Sequence, residues 1–220
     1  MQIIISDDIR QRCPGMVGAA VLASVKNTEE NKALWSEIDR FIEDYRQRYT
    51  PESIKQMPAI EATREAYKRC GKDPSRYRPS GEALVRRTQK GHDLYRVSTL
   101  VDLINLASIA YGYSIGGFDA DKIQGTTLTL GIGREGEPYE GIGRGTLNIA
   151  GLPVYRDDMG GIGTPTSDHE RTKLSLGTTR LLAVVNGYDG NREQTTACAQ
   201  YIQELIRKYA DSDGGEILTF

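Results

Sequence analysis

Thr99–Asp119, TLVDLINLASIAYGYSIGGFD, is the stretch whose reading organises the rest of the chain. Leu103, Leu106, Ala107 and Ala110 fall at i, i+3, i+4 and i+7, the spacing of one helical face. Ser98 stands where an N-cap belongs, and Gly112 follows the last periodic residue, where a left-handed C-terminal residue is common. Asp102 lies in the first turn, where a carboxylate favours the helix dipole, and Asn105 is the other polar residue. Gly116-Gly117 then lets a backbone or a ligand come close, because neither residue has a side chain. The stretch predicts a buried helix running into a glycine-paired strand. That combination serves either as plain core or as the wall of a pocket.

On the N-terminal side, Gln2–Ser6 reads as a strand, and Asp7-Asp8 as the cap of a short helix ending near Pro14-Gly15. Met16–Val25, small and apolar, reads as a buried strand. Glu29–Tyr49 is a long amphipathic helix, with Leu34, Ile38, Phe41 and Tyr45 along one face. Thr50-Pro51 suits the restart of a short helix, since proline is well placed at a first helical position. Ile60–Cys70 is a further helix stopped by Gly71. DPSRYRPS (73–80) is an ordered turn, and Ser80 caps a helix reaching Gly91.

On the C-terminal side the texture changes. Thr126–Ile132 alternates as a strand does, and Pro138–Gly145 is turn-rich. Leu147, Ile149 and Leu152–Tyr155 suggest more strands, and Asp157–Ser167 reads as a glycine-rich loop. Thr179–Asn186 is a buried strand, and Asn191 with Gln194 resembles a capping box for a last helix. Ile217–Phe220 closes the chain as a strand. Helices crowd the first half and strands the second, which argues for an α+β fold rather than alternating βαβ units. The 220 residues suit a single domain, with strands and a helical extension in 1–72 and the core in 73–220.

No apolar run approaches the ~20 residues needed to span a membrane. MQIIIS is too short for a signal h-region and runs at once into Asp7-Asp8, so no targeting peptide is expected. Cys13, Cys70 and Cys198 are scattered, which fits a reducing cytoplasm better than a disulfide framework. With only His92 and His169, neither a His-rich metal site nor any cofactor is expected. The net charge of −2 conceals an asymmetry: Arg64–Arg96 carries +6 and the remainder −8. Such a segment suits either a phosphate backbone or solvated helix faces with paired charges.

Gly131–Gly136 matches GxGxxG, but no helix can start at the Pro138 and glycines that follow, so it reads as a hairpin turn rather than a dinucleotide site. Thr164–Thr172, TPTSDHERT, is the densest polar cluster after a glycine loop. In a strand Thr166, Asp168 and Glu170 share one face, where two carboxylates and a hydroxyl position a water or bind an amino group. The same letters, with Ser167 or Asp168 as cap, also describe a helix N-terminus.

Together these motifs resemble the tRNA-editing (B-three/B-four) domain of the β subunit of bacterial phenylalanyl-tRNA synthetase, in stand-alone form. Ser75-Arg76-Tyr77 resembles that family's proline-arginine-tyrosine turn. Leu100-Val101-Asp102 with Asn105 resembles its Asn-containing helix, Gly116–Asp119 its HAFD strand, Leu147–Gly151 its LAMAG strand, and Gly160-Gly161 the GG that follows. The resemblance implies an α+β editing fold that hydrolyses the ester between a wrong amino acid and tRNA, largely by positioning. It implies that Arg76, Arg78, Arg86, Arg87 and Lys90 guide tRNA. Asn105, Gly116, Gly117 and Ser167 would bind the aminoacyl group. The TPTSDHERT cluster is not part of the synthetase pattern; on its polar density, Thr166, Asp168 and Glu170 would place a water or the substrate amine. Two departures argue against tyrosine as that group: Gly116 stands where the family has His, and Ile162 where an acidic residue reads the tyrosine hydroxyl. Gly116 would instead make room for a different or bulkier substrate. Nothing resembles an ATP-binding aminoacylation core, so no ligase activity is expected. Three readings stay open: a trans-acting hydrolase of mischarged tRNA, a tRNA- or amino-acid-binding module without chemistry, and a small-molecule binder with no RNA partner.

Overall fold

The computed structural model describes residues 1–50 and 52–220; the expected proline start at Pro51 lies outside them. In chain order the elements are β1 (Gln2–Ile5), α1 (Asp7–Arg12), β2 (Val17–Ser24), α2 (Lys32–Arg48), α3 (Pro58–Arg69), α4 (Ser80–Gln89), α5 (Thr99–Tyr111), β3 (Ile115–Asp119), β4 (Thr127–Ile132), β5 (Glu140–Gly141), β6 (Gly145–Thr146), β7 (Pro153–Asp157), β8 (Gly160–Gly163), β9 (Arg180–Gly187), α6 (Arg192–Tyr209) and β10 (Glu216–Thr219). Short 3-10 turns fall at Ser53–Gln56, Ala120–Lys122 and Glu170–Thr172.

The fold is α+β, built on two four-stranded sheets ordered β1-β4-β7-β8 and β10-β2-β9-β3, with a two-stranded β5-β6 ribbon beside them. Among the described residues only β1 and β4 run parallel; the remaining pairs are antiparallel. The apolar runs of β2 and β9 follow from their place in the middle layer. Ala19, Val21 and Ala23 of β2, with Leu181, Ala183 and Val185 of β9, face a helical layer that includes Leu34, Ile38, Leu103, Leu106 and Ile202. Their alternates Ala20, Leu182 and Val184 meet Ile3, Ile5, Leu128, Leu130 and Ile162 of the other sheet. A strand apolar on both faces loses the period-2 alternation, which is why these segments read as continuous runs. Residues 1–72 thus supply β1 at the edge of one sheet and β2 inside the other, with β2 paired to β9 from Val17 through Ser24.

α5 is anchored from far away in sequence. Ser98 holds the N-cap position, but its side chain caps nothing; its Oγ accepts from Asn27 Nδ2 at 3.2 Å. The free N–H groups at the helix start go to the Thr28 carbonyl (2.9 Å, from Thr99) and to Asn27 Oδ1 (3.1 Å, from Leu100). Asp102 is buried rather than a surface partner of the dipole: it accepts from Trp35 Nε1 at 2.8 Å and from the Val97 N–H at 3.0 Å. Two buried donors therefore depend on one carboxylate. Asp102→Ala should cost about 2–3 kcal/mol, visible as a fall of several degrees in the thermal midpoint with no change in fold by circular dichroism. A midpoint within 1 °C of wild type, or about that, would contradict this role.

Candidate functional site

A cavity of about 410 Å³ opens where α5, β3, the first turn of α4 and the 164–174 segment meet. Most of its wall is apolar: Leu84, Val97, Val101, Ile104, Ile115, Ile142 and Leu174. The polar groups at the wall are Ser80, Asn105, Ser108, Thr164, Ser167, Asp168 and Lys173. α5 presents Val101, Ile104, Asn105 and Ser108 at i, i+3, i+4 and i+7, one stripe turned to the cavity. Its other faces are buried in the helical layer, which explains why α5 is apolar almost all round.

Gly117 brings the backbone of β3 to the cavity. Its N–H donates to Asp168 Oδ2 at 3.1 Å. A Cβ there would lie 2.8 Å from Ile104 Cδ1 and 3.1 Å from Leu174 Cδ1, so any side chain would push back these two methyls. Asp168 is half-buried at the cavity wall. Burial pushes its carboxyl up to about 7, against the smaller opposing pull of the Gly117 N–H. The Asn105 side chain, half-buried on the same wall, makes no hydrogen bond among the described residues.

The neighbouring glycines serve packing. A Cβ on Gly116 would meet the Phe118 ring at 2.7 Å and Asp168 Oδ1 at 3.5 Å; one on Gly163 would meet the same ring at 2.4 Å. The fully buried Phe118 ring fills the space, so Gly116 does not make room for a bulkier substrate as expected. Gly116 also lies off the cavity wall, although it neighbours the Asp168 carboxylate.

The segment 164–172 is not the single strand whose alternate residues share a face. Thr164 Oγ1 accepts from the N–H groups of Thr166 (3.2 Å) and Ser167 (3.0 Å), folding a side-chain-closed turn around Pro165. The chain then pairs only briefly, Asp168 with Gly163 and His169 with Gly141, before the 3-10 turn at Glu170. Three neighbours therefore point three ways. Thr166 is buried away from the cavity, its hydroxyl fixed between the Tyr67 hydroxyl (2.8 Å) and the Tyr77 carbonyl (3.0 Å). Asp168 faces the cavity. Glu170 turns outward, paired with Lys173 and accepting the Gly143 N–H at 3.2 Å; those contacts hold its carboxyl below the usual carboxylate range. The structure brings together Asn105, Gly117, Ser167 and Asp168, and leaves Gly116, Thr166 and Glu170 outside. His169 accepts the Arg171 N–H at its Nδ1 (2.9 Å) and sits edge-on to Tyr139.

Sequence reasoning missed Ser80, Thr164, Lys173 and Leu174 as wall residues. Thr164 stood in the quoted cluster and Lys173 just after it. Ser80 was read only as a helix cap, although the N-cap position belongs to Pro79. It also read Asp157–Ser167 as loop, where Gly160–Gly163 forms β8 against β7. Asp157 closes that hairpin: its buried carboxylate accepts from Arg171 Nη1 (3.0 Å) and Nη2 (2.8 Å) and from the Gln124 and Met159 N–H groups.

The basic segment is less free than its charge suggests. Glu82, 1% exposed, accepts from Arg64 Nη1 at 2.8 Å and Arg86 Nε at 2.7 Å, with Arg78 Nε at 4.0 Å. Arg86 is thus committed inside the protein. Arg76, Arg78 and Lys90 are exposed, and the half-buried Arg87 lies over the Tyr95 ring. Among the described residues no helix is long and apolar enough to cross a membrane, and no three His, Cys, Asp or Glu side chains cluster as metal ligands.

Fold and site define an α+β protein with a mostly apolar cavity that has one carboxylate in its wall. The B3/4 domain profile matches residues 62–211, and the chain belongs to the B3/4 domain family. One similar solved structure is an N-terminal fragment of the phenylalanyl-tRNA synthetase β subunit from Pyrococcus horikoshii. It aligns over 98% of this chain and 50% of that one, at 12% identity and a TM-score of 0.47. The chain therefore spans half the length of that fragment. No curated protein matches the chain.

Proposed function

We propose that this protein hydrolyses the ester of mischarged aminoacyl-tRNA in trans, with the aminoacyl group in the α5–β3 cavity. The observation that carries this reading is Asp168: a carboxylate on a mostly apolar wall, tied to the Gly117 N–H and sharing the cavity with an unengaged amide at Asn105. Membership of the B3/4 family supports it. A carboxyl near 7 is half-ionised at neutral pH, so it can take a proton from an attacking water or hold the substrate's ammonium. The Asn105 amide supplies a donor for the ester carbonyl as negative charge develops there. The apolar wall excludes bulk water and favours an uncharged side chain, since a buried unpaired charge is costly. Thr166 and Glu170 hold the loop that carries Asp168 instead of touching substrate. Arg76, Arg78, Arg87 and Lys90 offer cations to the tRNA backbone.

A second reading, binding without hydrolysis, is favoured by one observation: Gly116 leaves no imidazole beside Asp168. A deacylation assay over a panel of mischarged tRNAs separates the two. The expected result is release of free amino acid from at least one of them, with tRNA binding that weakens as salt rises. Salt-sensitive binding with every ester left intact would establish the second reading and overturn the first.

A further inference from the structure

We propose that the Arg87–Tyr95 pair beside the cavity is a stacking shelf for a nucleobase at the 3′ end of single-stranded RNA. This rests on the reading that the cavity receives an ester-linked group.

The placement follows from two approaches. Ser80, Leu84 and Arg87 stand at i, i+4 and i+7 on α4, one face of the helix. Ser80 and Leu84 line the cavity, so Arg87 lies one turn further along that face, about 5 Å beyond Leu84. The loop after α4 gives the second. Asp93, Leu94 and Arg96 line the groove against α2, where the Arg96 guanidinium lies 4.4 Å from the Trp35 ring centre. Val97 lines the cavity instead, and Tyr95, two residues before it, is not among the residues lining that groove. Arg87 and Tyr95 meet in this pair, three residues after Leu84 and two before Val97, both of which line the cavity.

The pair has the form of a stacking platform. The Arg87 guanidinium lies 4.1 Å from the Tyr95 ring centre, and its Nε donates to the Asp93 carbonyl at 2.6 Å. One face of the ring is thus held by a pinned cation. Tyr95 is nevertheless 69% exposed and Val97 54% exposed, large apolar surface left open next to the cavity. Every base has a π-face, and an aromatic ring backed by a guanidinium takes one without reading its sequence. The exposed Lys90 at the end of α4 adds charge for the adjoining phosphate.

The test uses a 5′-fluorescein-labelled single-stranded oligoribonucleotide with a free 3′-terminal adenosine, followed by anisotropy. Tyr95→Ala should weaken binding about tenfold, and Tyr95→Phe should leave it within about twofold, because a ring without the hydroxyl still stacks. On a mischarged tRNA found to be hydrolysed, Tyr95→Ala should raise KM by a similar factor with kcat unchanged. The exposed side chain separates this loss from a folding defect, and circular dichroism checks it. The proposal is overturned if the wild-type protein does not bind the oligonucleotide, if Tyr95→Ala binds it as wild type does, or if Tyr95→Phe loses as much as Tyr95→Ala. The oligonucleotide arm needs no hydrolysis, so the shelf and the hydrolase reading fail separately.

Discussion

Asp168→Asn is expected to lower the deacylation rate by about 100-fold or more, the range a lost general base covers, and to make the folded protein more stable at the same time. The substitution is nearly isosteric, and the side-chain oxygen can still accept the Gly117 N–H, so the β3–loop contact survives. What disappears is the ionisable group. Because burial raises this carboxyl to about 7, the wild-type rate should climb between about pH 6 and 8 as it ionises, once spontaneous hydrolysis is subtracted. The Asn variant should give a flat, low profile. The sign for stability is opposite. A carboxyl whose folded pKa lies above its unfolded value, about 4, binds its proton more tightly in the native state. It therefore imposes a penalty that grows from about pH 4 to about pH 7 and is fully present above that. Asparagine never ionises, so its advantage should be absent near pH 4, grow through that window and reach on the order of 4 kcal/mol above pH 7. Denaturant melts at pH 4.5 and pH 8 check the second half of the claim and rate profiles the first. A variant that keeps the wild-type profile would remove Asp168 from the chemistry. Gain in stability with loss of rate is the pattern of a group kept for function.

The two halves of the chain were unequally legible. α5 and β3 could be read because each carries its own local signal: a helical period, a Gly112 with φ 75° to end it, and a glycine pair to thin the strand. The last helix could be read for the same reason, since Asn191 Oδ1 accepts the Gln194 N–H at 3.0 Å and its Nδ2 donates to Gln194 Oε1 at 3.2 Å. β8 carries no such signal. GGIG has the composition of a loop, and it is a strand only because β7 lies beside it. Gly161 stays bare because Tyr139 stands 3.0 Å from where its Cβ would be.

The site divided along the same line. Asn105 and Gly117 were legible because they sit on regular elements whose direction the sequence sets. The directions of Thr166, Asp168 and Glu170 depend on a hydroxyl-closed turn and a 3-10 turn, which do not follow from a period of two. Asp102 was visible as a polar residue in an apolar helix, but its partners, Trp35 and Val97, lie 67 and 5 residues away. The role of Gly116 was legible only as missing bulk; which neighbour fills the space, the Phe118 ring, is decided by packing.

The second large effect is expected at Glu82, which the sequence shows only as one of four acids among ten bases in Arg64–Arg96. The carboxylate is buried, bound by Arg64 from α3 and by Arg86 one turn along α4. Arg64 and Arg86 keep only 16% and 21% of their side chains exposed, so both are substantially desolvated. Removing one partner of such a set leaves the others charged and unpaired, at a cost of about 3–5 kcal/mol. Glu82→Ala should therefore lower the thermal midpoint by about 10 °C in a chain of this size. Arg64→Ala should cost less, because Glu82 keeps Arg86. The double variant should be less destabilised than the two singles combined, since each has already broken the shared bond. The carboxylate is also what sets the wall of the cavity: it clamps α4 to α3, and α4 brings Ser80 and Leu84 to the site. Gly81 allows that approach, as a Cβ there would stand 2.7 Å from the Tyr113 carbonyl oxygen. Glu82→Gln, which keeps the shape and drops the charge, separates clamp from charge. It should fall between wild type and Glu82→Ala in stability and should bind RNA more tightly at low salt, because two guanidiniums lose their counter-charge. If Glu82→Ala and Arg64→Ala each move the midpoint by less than about 2 °C, the clamp is not what holds α4 in place.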